Sequence, residues 1–313
     1  MGTDTLRIAV LLPCYNEEAA IAQTIAGFRA ALPAATIYVY DNNSGDRTRE
    51  VAAEAGAVVR TERMQGKGHV VRRMFADIEA DIYVMADGDA TYDAAAAPAL
   101  VAKLLDEQLD MVVGARKSEV EGDAYRRGHV LGNKLFTGLL AGLFGRSFSD
   151  IFSGYRVFSR RFVKSFPALA RGFETETEIS VHALELVMPV GEVVTAYGAR
   201  PEGSQSKLST YRDGWRILKT ILHLYRIERP VLFYGCFSLF LTALALVLTI
   251  PLAITYVETG LVPRFPTAIL ATGLMILAAL SFFAGLILDT VVRGRREVRR
   301  LHYLSFPAPG ADG

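Results

Sequence analysis

Residues 81–93 read Asp-Ile-Tyr-Val-Met-Ala-Asp-Gly-Asp-Ala-Thr-Tyr-Asp, an apolar run that stops on two carboxylates two positions apart, Asp87 and Asp89. A short uncharged stretch bounded by turn-forming residues reads as a buried strand, so Asp81–Asp87 is predicted to be one. The same pattern occurs upstream at Arg7–Pro13, Thr36–Asp41 and Ala57–Thr61, and downstream at Asp110–Gly114. Between these runs, Glu17–Ala31, Asp46–Ala55, Gly66–Ala80 and Ala94–Gln108 carry helical patterning. The alternation predicts an α/β fold with a mostly parallel sheet covered on both faces. Ligands of such sheets collect beyond the carboxyl ends of the strands. Three of those ends are acidic: PCYNEE (13–18), DNNSGD (41–46) and DGD (87–89). Each alone is an ordinary cap or turn. Together on one edge they repel, unless a cation or a donor-rich ligand sits among them.

Several binding motifs are excluded. PCYNEE holds no glycine, and Val71 stands where a third glycine should follow Gly66 and Gly68, so the dinucleotide fingerprint is missing. A phosphate-binding P-loop needs Ser or Thr after Gly66-Lys67, and the residue is Gly68. Asp87, Asp89, Thr91 and Asp93 imitate a calcium loop, but Tyr92 and Pro98 replace its glycine and terminal glutamate. What remains is Asp-x-Asp at a strand end, a pair suited to a hard divalent ion that completes its shell with water and phosphate oxygens.

The composition points the same way. The chain has 313 residues, 34 Lys+Arg against 33 Asp+Glu and a net charge of +1, which argues against a nucleic-acid binder. Its two cysteines, Cys14 and Cys236, form no disulfide framework or zinc spacing. No basic-start leader with a cleavage site is recognised at the N-terminus. The apolar excess lies late: Val231–Val257 and Pro266–Leu288 contain no charged residue, and each is long enough to cross a bilayer. Arg216, Lys219, Arg226 and Arg229 precede the first run, and Arg293, Arg295, Arg296, Arg299 and Arg300 follow the second, whereas the linking loop has only Arg264. The positive-inside rule then puts both termini in the cytoplasm of a multi-pass protein of the cell (inner) membrane. The expected organisation is a catalytic domain over 1–207, an amphipathic helix on the membrane surface over 208–229, a transmembrane hairpin over 230–292 and a basic tail over 293–313.

LLPCYNEE (11–18), YDNNSGDRT (40–48), QGKGHVVRRMF (65–75) and MADGDATYD (85–93) together resemble the nucleotide-sugar half of family-2 glycosyltransferases of GT-A fold. SDIFSGYRVFSRRF (149–162), GFETETEISVHALEL (172–186) and RPEGSQSKLSTYRDG (200–214) extend the resemblance to the polyprenyl-phosphate branch, of which dolichol-phosphate mannose synthases are members. The resemblance implies a nucleoside-diphosphate sugar donor, a polyprenyl phosphate acceptor, the lipid bilayer as partner and Mg²⁺ or Mn²⁺ as cofactor. It implies that Pro13, Tyr15 and Glu17 border the nucleotide, that Asp41 meets the base, and that Asp87 and Asp89 hold the metal. Lys67 falls in the glycine-rich turn near the nucleotide. Arg116 and Arg126 match positions for the acceptor phosphate, a role that suits the bidentate guanidinium. Arg200, Ser206 and Lys207 match a loop over the diphosphate, here one residue longer than in the dolichol enzymes. Asp150 and Glu178 are expected to orient the donor sugar or Arg156, because a phosphate acceptor is already an anion and needs no general base.

Of three alternatives, one is excluded and two stay in view. A processive polysaccharide synthase needs Q-x-x-R-W, which the single tryptophan, Trp215, excludes because Arg212-Asp213-Gly214 precedes it. An anchored transferase with a non-lipid acceptor and a non-catalytic lipid-binding scaffold are the others. The donor favoured is a UDP-glucose-like hexose, with GDP-mannose next. Oligomeric state is open, a homo-oligomer included.

Overall fold

The computed structural model describes residues 6–118, 138, 142, 148–169, 174–198 and 226–310. The chain divides into two compact units, Met1–Gly214 with Arg299–Gly313, and Trp215–Val298.

The first unit is built on a sheet that has seven strands among the described residues. β1 (Ile8–Cys14) is buried along its whole length. It pairs in parallel with β2 (Thr36–Asp41) on one side and β4 (Ile82–Met85) on the other, and β3 (Val58–Thr61) adds in parallel beyond β2. The order is β3-β2-β1-β4-β6-β5-β7, with β5 at Met111–Ser118, β6 at Arg156–Ser159 and β7 at Val190–Tyr197. β6 runs antiparallel to both β4 and β5, whereas β7 is parallel to β5. The carboxyl ends of β1–β5 and β7 therefore share one edge, and β6 begins there.

Helices α1 (Ile21–Ala31), α2 (Thr48–Glu54), α3 (Lys67–Asp77) and α4 (Ala97–Asp106) fill the predicted crossovers. α5 (Arg160–Ser165) and α6 (Thr175–Glu185) follow β6. β1 alternates its side chains between two cores, as a strand covered on both faces must. Ile8, Val10 and Leu12 pack with Ile25 and Phe28 of α1 and with Leu100 and Leu104 of α4. An aromatic group forms a second core: Phe75 of α3 meets Tyr83, Phe158 and Phe166 edge-on at 6.3, 5.7 and 5.9 Å. His182 of α6 packs edge-on against Phe162 and Phe166, each at 5.4 Å. Burial, aided by the charge of Arg299, lowers its pKa to about 3, so the imidazole is neutral.

At the edge away from the strand ends, Asp110 is fully buried just before β5. Its carboxylate accepts from Ser159 Oγ at 2.7 Å, from Arg161 Nη2 at 2.9 Å and through a second, shorter contact from Arg161 Nε. Tyr303 Oη, from the C-terminal segment, also donates to it at 2.8 Å. Arg161 lies over the Tyr303 ring at 4.8 Å. Arg299 pairs with the buried Glu185 at 2.5 Å, and Arg300 donates to Leu186 O at 3.0 Å. Arg299, Arg300 and Tyr303, expected as part of a basic tail, thus belong to the first unit.

The second unit contains α7 (Pro230–Thr259) and most of α8 (Phe265–Leu304), both long and apolar enough to cross a membrane. Gly260 ends α7 with φ +67°, the left-handed cap that glycine adopts without a steric cost. Ser238 Oγ donates to Ala278 O at 2.8 Å between the two helices, and Glu228 pairs with Arg296 at 2.7 Å. Most of the predicted amphipathic helix lies outside the described residues.

Candidate active site

The three acidic strand ends converge. Cys14, the last residue of β1, is completely buried beside Asp41, the last residue of β2. Its thiol pKa is pushed up first by burial and then by the charges of Glu17, Asp41, Asp87 and Asp89. One side chain therefore feels carboxylates from all three ends. The approach is close: a Cβ on Gly88 would come within 2.4 Å of Cys14 Sγ, so only glycine fits between the two aspartates.

Local hydrogen bonds fix the loops. Asn16, in the left-handed region at φ 54°, accepts from Gly45 N through Oδ1 at 2.8 Å, while its own N–H donates to Ser44 Oγ at 2.9 Å. Glu17 N donates to Thr48 Oγ1 and Glu18 N to Asp46 Oδ2, at 2.9 and 3.2 Å. The β1 and β2 loops are thereby laced together. Pro13 is buried beneath them, while Tyr15 is 37% exposed above the edge. Asp41 is fully buried, accepts from Ser44 N through both oxygens at 3.3 and 3.2 Å, and has Arg49 at 3.9 Å.

Asn42 is a residue the sequence reading missed. Its Nδ2 donates to Glu62 O and Met64 O at 3.0 and 2.8 Å, and its Oδ1 accepts from Gly66 N at 2.7 Å. These bonds hold the turn that starts α3, where Gly66 has φ 130°. Lys67 is thereby aimed into the site. Its Nζ lies 2.5 Å from Asp87 Oδ1 and 2.5 Å from Glu176 Oε1 of α6. Burial alone would lower the ammonium pKa, but Asp87 and Glu176 outweigh it and hold the group charged.

Asp89 is buried and accepts from Thr91 N and Oγ1 at 3.2 and 2.6 Å, which fixes Ala90 in the left-handed region at φ 57°. Strain of this kind persists only where the surroundings enforce it. Asp93, the last of the calcium-like set, caps a short helical turn by accepting from Ala95 N at 2.9 Å. Among the described residues no group of three His, Cys, Asp or Glu side chains is arranged to hold a metal. Asp87 and Asp89 offer only oxygen, and that donor set fits a hard ion whose other ligands are water and phosphate.

Arg116, inside β5 rather than after it, donates from Nε and Nη2 to Asp150 at 2.6 and 2.8 Å and lies over the Tyr197 ring at 5.4 Å. Asp150, expected to orient the sugar or Arg156, thus orients Arg116. Arg156 is fully buried: Nε donates to Ser153 O at 2.9 Å and Nη2 to Ile151 O at 2.5 Å. Burial lowers its pKa to about 10, partly offset by Glu176 and Asp150. With no exposed surface, Arg156 braces the Ile151–Ser153 turn. Glu178 accepts from Leu169 N at 2.8 Å, so it is Glu176 that joins Lys67. Arg126, Arg200, Ser206 and Lys207 lie outside the described residues.

Comparison with known proteins identifies the family and the fold. The sequence profile described as "Glycosyl transferase family 2" matches residues 9–166. Glycosyltransferase AglJ of Haloferax volcanii is 32% identical over 93% of this chain and 95% of its own. The dolichol-phosphate mannosyltransferase of Pyrococcus furiosus is 26% identical over 72% of this chain and 64% of its own. Glucosyl-3-phosphoglycerate synthase of Mycobacterium tuberculosis, solved with Mn²⁺, UDP and glucosyl-3-phosphoglycerate, is similar in fold at a TM-score of 0.56 and 23% identity, over 71% of this chain and 79% of its own.

Proposed function

The chain belongs to glycosyl transferase family 2 and has its GT-A fold, and on that premise we propose that it moves a hexose from a nucleoside-diphosphate sugar to a polyprenyl phosphate. The observation that supports this most is that the parallel strands β1, β2 and β4 bring Glu17, Asp41, Asp87 and Asp89 to one sheet edge, with Gly88 packed against the buried Cys14. Such an edge suits a donor delivered as a metal complex.

In this reading Pro13, Tyr15 and Glu17 border the nucleotide and Asp41 accepts a hydrogen bond from the base. Asp87 and Asp89 hold Mg²⁺ or Mn²⁺, which supplies charge neutralisation on the departing diphosphate. Arg116, its guanidinium set by Asp150, receives the acceptor phosphate together with Arg126, while Arg200, Ser206 and Lys207 cover the diphosphate. An acceptor phosphate oxygen forms the new bond to the anomeric carbon as the bond to the nucleoside diphosphate breaks, with inversion. No residue needs to remove a proton, since the phosphate is already ionised. The Asp150 carboxylate is in any case occupied, holding Arg116 through two hydrogen bonds.

The lipid acceptor rests on two further features. Two helices are long enough to keep the chain on a membrane, and one relative is a dolichol-phosphate mannosyltransferase. The excess of Arg and Lys on the outer flanks favours a cytoplasmic catalytic domain. The test is transfer of radiolabelled glucose from UDP-glucose, or mannose from GDP-mannose, into an organic-extractable lipid by membranes containing the full chain. Label that stays in the aqueous phase as a new product would assign a non-lipid acceptor. No transfer from any nucleotide sugar would overturn the enzyme.

A further inference from the structure

Lys67 is placed where the donor site has least need of a bystander. Its ammonium touches one carboxylate assigned to the metal, Asp87, and one that is not, Glu176, each at 2.5 Å. Lys67 and Glu176 are mostly enclosed, at 12% and 7% exposure, so their contact is poorly screened by solvent, whereas Asp87 at 33% stays open to an incoming ligand. The glycine turn, held by Asn42, leaves the lysine at the first residue of α3, where its direction is set by backbone hydrogen bonds rather than by chance.

We propose that Lys67 is a resident counter-ion that makes divalent-ion binding conditional on the diphosphate. The inference rests on the reading of Asp87 and Asp89 as the metal pair. Without a nucleotide, the ammonium neutralises Asp87, and a dication brought to the same carboxylate meets a like charge at close range. When a diphosphate enters, its negative charge compensates both cations, and the ammonium can lean on Glu176 while Asp87 serves the ion. Glu176 is the parking carboxylate: it keeps the lysine in the site but shares its charge. Lys67 is thus a positioning residue for the metal–donor complex. By linkage, the ion and the diphosphate raise each other's affinity by the same factor.

The test is Mn²⁺ binding to the full chain in detergent, read from the paramagnetic signal of the free ion, with and without UDP and in parallel with GDP. Lys67→Met is expected to bind Mn²⁺ without nucleotide roughly tenfold more tightly than the parent, the scale of one nearby like charge, and to lose a similar part of the gain given by UDP or GDP. Glu176→Gln is expected to act in the opposite direction, weakening Mn²⁺ alone several-fold, because the ammonium then has only Asp87. A general packing defect would weaken binding in both variants, so the reversal of sign is the diagnostic. Lys67→Arg keeps the charge and is expected to behave as the parent. Unchanged or weaker Mn²⁺ binding in Lys67→Met overturns the proposal. So does unchanged or tighter binding in Glu176→Gln, which serves if the lysine variant does not fold. Asp87→Asn/Asp89→Asn separates the two levels. If it abolishes Mn²⁺ binding while Lys67→Met changes nothing, only the role of Lys67 fails. If it leaves Mn²⁺ binding intact, the metal assignment itself fails.

Discussion

The two edges of the sheet each bury aspartates, and they treat them in opposite ways. At the amino edge of β5, Asp110 receives donors from Ser159, Arg161 and Tyr303. At the carboxyl edge, Glu17, Asp41, Asp87 and Asp89 crowd one thiol, and the short ammonium contact made there to Asp87 is shared with Glu176. A saturated carboxylate is a clamp, because every lone pair that matters already serves the fold. A group of like-charged carboxylates brought to one edge, one of which shares its ammonium with a third side chain, is the arrangement expected of a binding site. Burial alone does not tell a site from a structural ion pair; the balance of charge around it does.

Removing one aspartate at each edge should separate the two functions. Asp89→Ala is expected to cut sugar transfer by on the order of a thousandfold, about 4 kcal/mol of transition-state stabilisation. The melting temperature should change little, since a like-charge neighbour of Asp41 and Asp87 is lost along with the Thr91 contacts. Radiolabel transfer at saturating donor checks the first point and thermal unfolding the second. Transfer near the parent rate would remove the carboxyl edge from the chemistry.

Asp110→Ala should do the reverse. It strands Arg161 in a largely enclosed position, and breaking a buried pair of this kind costs about 3 kcal/mol or more. Denaturant unfolding should register that loss, while the folded fraction keeps its turnover. Substituting Asp110 and Arg161 together by apolar residues should cost less than Asp110→Ala alone, because no uncompensated charge remains.

Much of this contrast was legible in the sequence at the carboxyl edge and little of it at the other. The runs ending at Pro13, Asp41 and Asp87 are local signals, and they locate β1, β2 and β4 to within a few residues. β6 is four residues long and inserts antiparallel between β4 and β5, a choice made by partners far away in the chain. α1 starts at Ile21 rather than Glu17 because Ala20 N and Ile21 N both donate to Glu17 O, making a turn before the helix proper. Glu176 and Glu178 are two apart on a helix, roughly 200° around its axis, so only one can face the site. Which one depends on how α6 rolls against α3, and the sequence holds no local record of that. The Asp110 clamp needs Tyr303, 193 residues away, and the basic C-terminal pattern that resembles a membrane flank conceals it.

The clamp region also sets an acid limit. His182 has a folded pKa of about 3, against about 6.5 for an exposed imidazole. Between those values the unfolded chain binds the proton and the folded chain does not. Stability contributed by the neutral ring is therefore present above about pH 6.5 and lost as pH falls towards 3, at up to about 1.4 kcal/mol per unit. His182→Phe keeps an aromatic ring against Phe162 and Phe166 and should flatten that part of the stability–pH curve, as followed by urea unfolding at several pH values. An unchanged slope would show that His182 is not the source of the acid sensitivity.

The smallest effect expected is the most pointed test of the clamp. Tyr303→Phe removes one hydroxyl and leaves the ring beneath Arg161, so packing and cation–π contact are retained. Asp110 keeps its bonds from Arg161 and Ser159 and is not left bare. The loss should then be that of one hydrogen bond to a charged acceptor, about 1.5 kcal/mol. A much larger loss would mean that the C-terminal segment is held chiefly through this hydroxyl; no loss would leave Arg299 and Arg300 as the contacts that hold it. Either result leaves transfer unchanged if the amino edge is purely structural, and a fall in transfer without a fall in stability is the outcome that would join the two edges into one functional system.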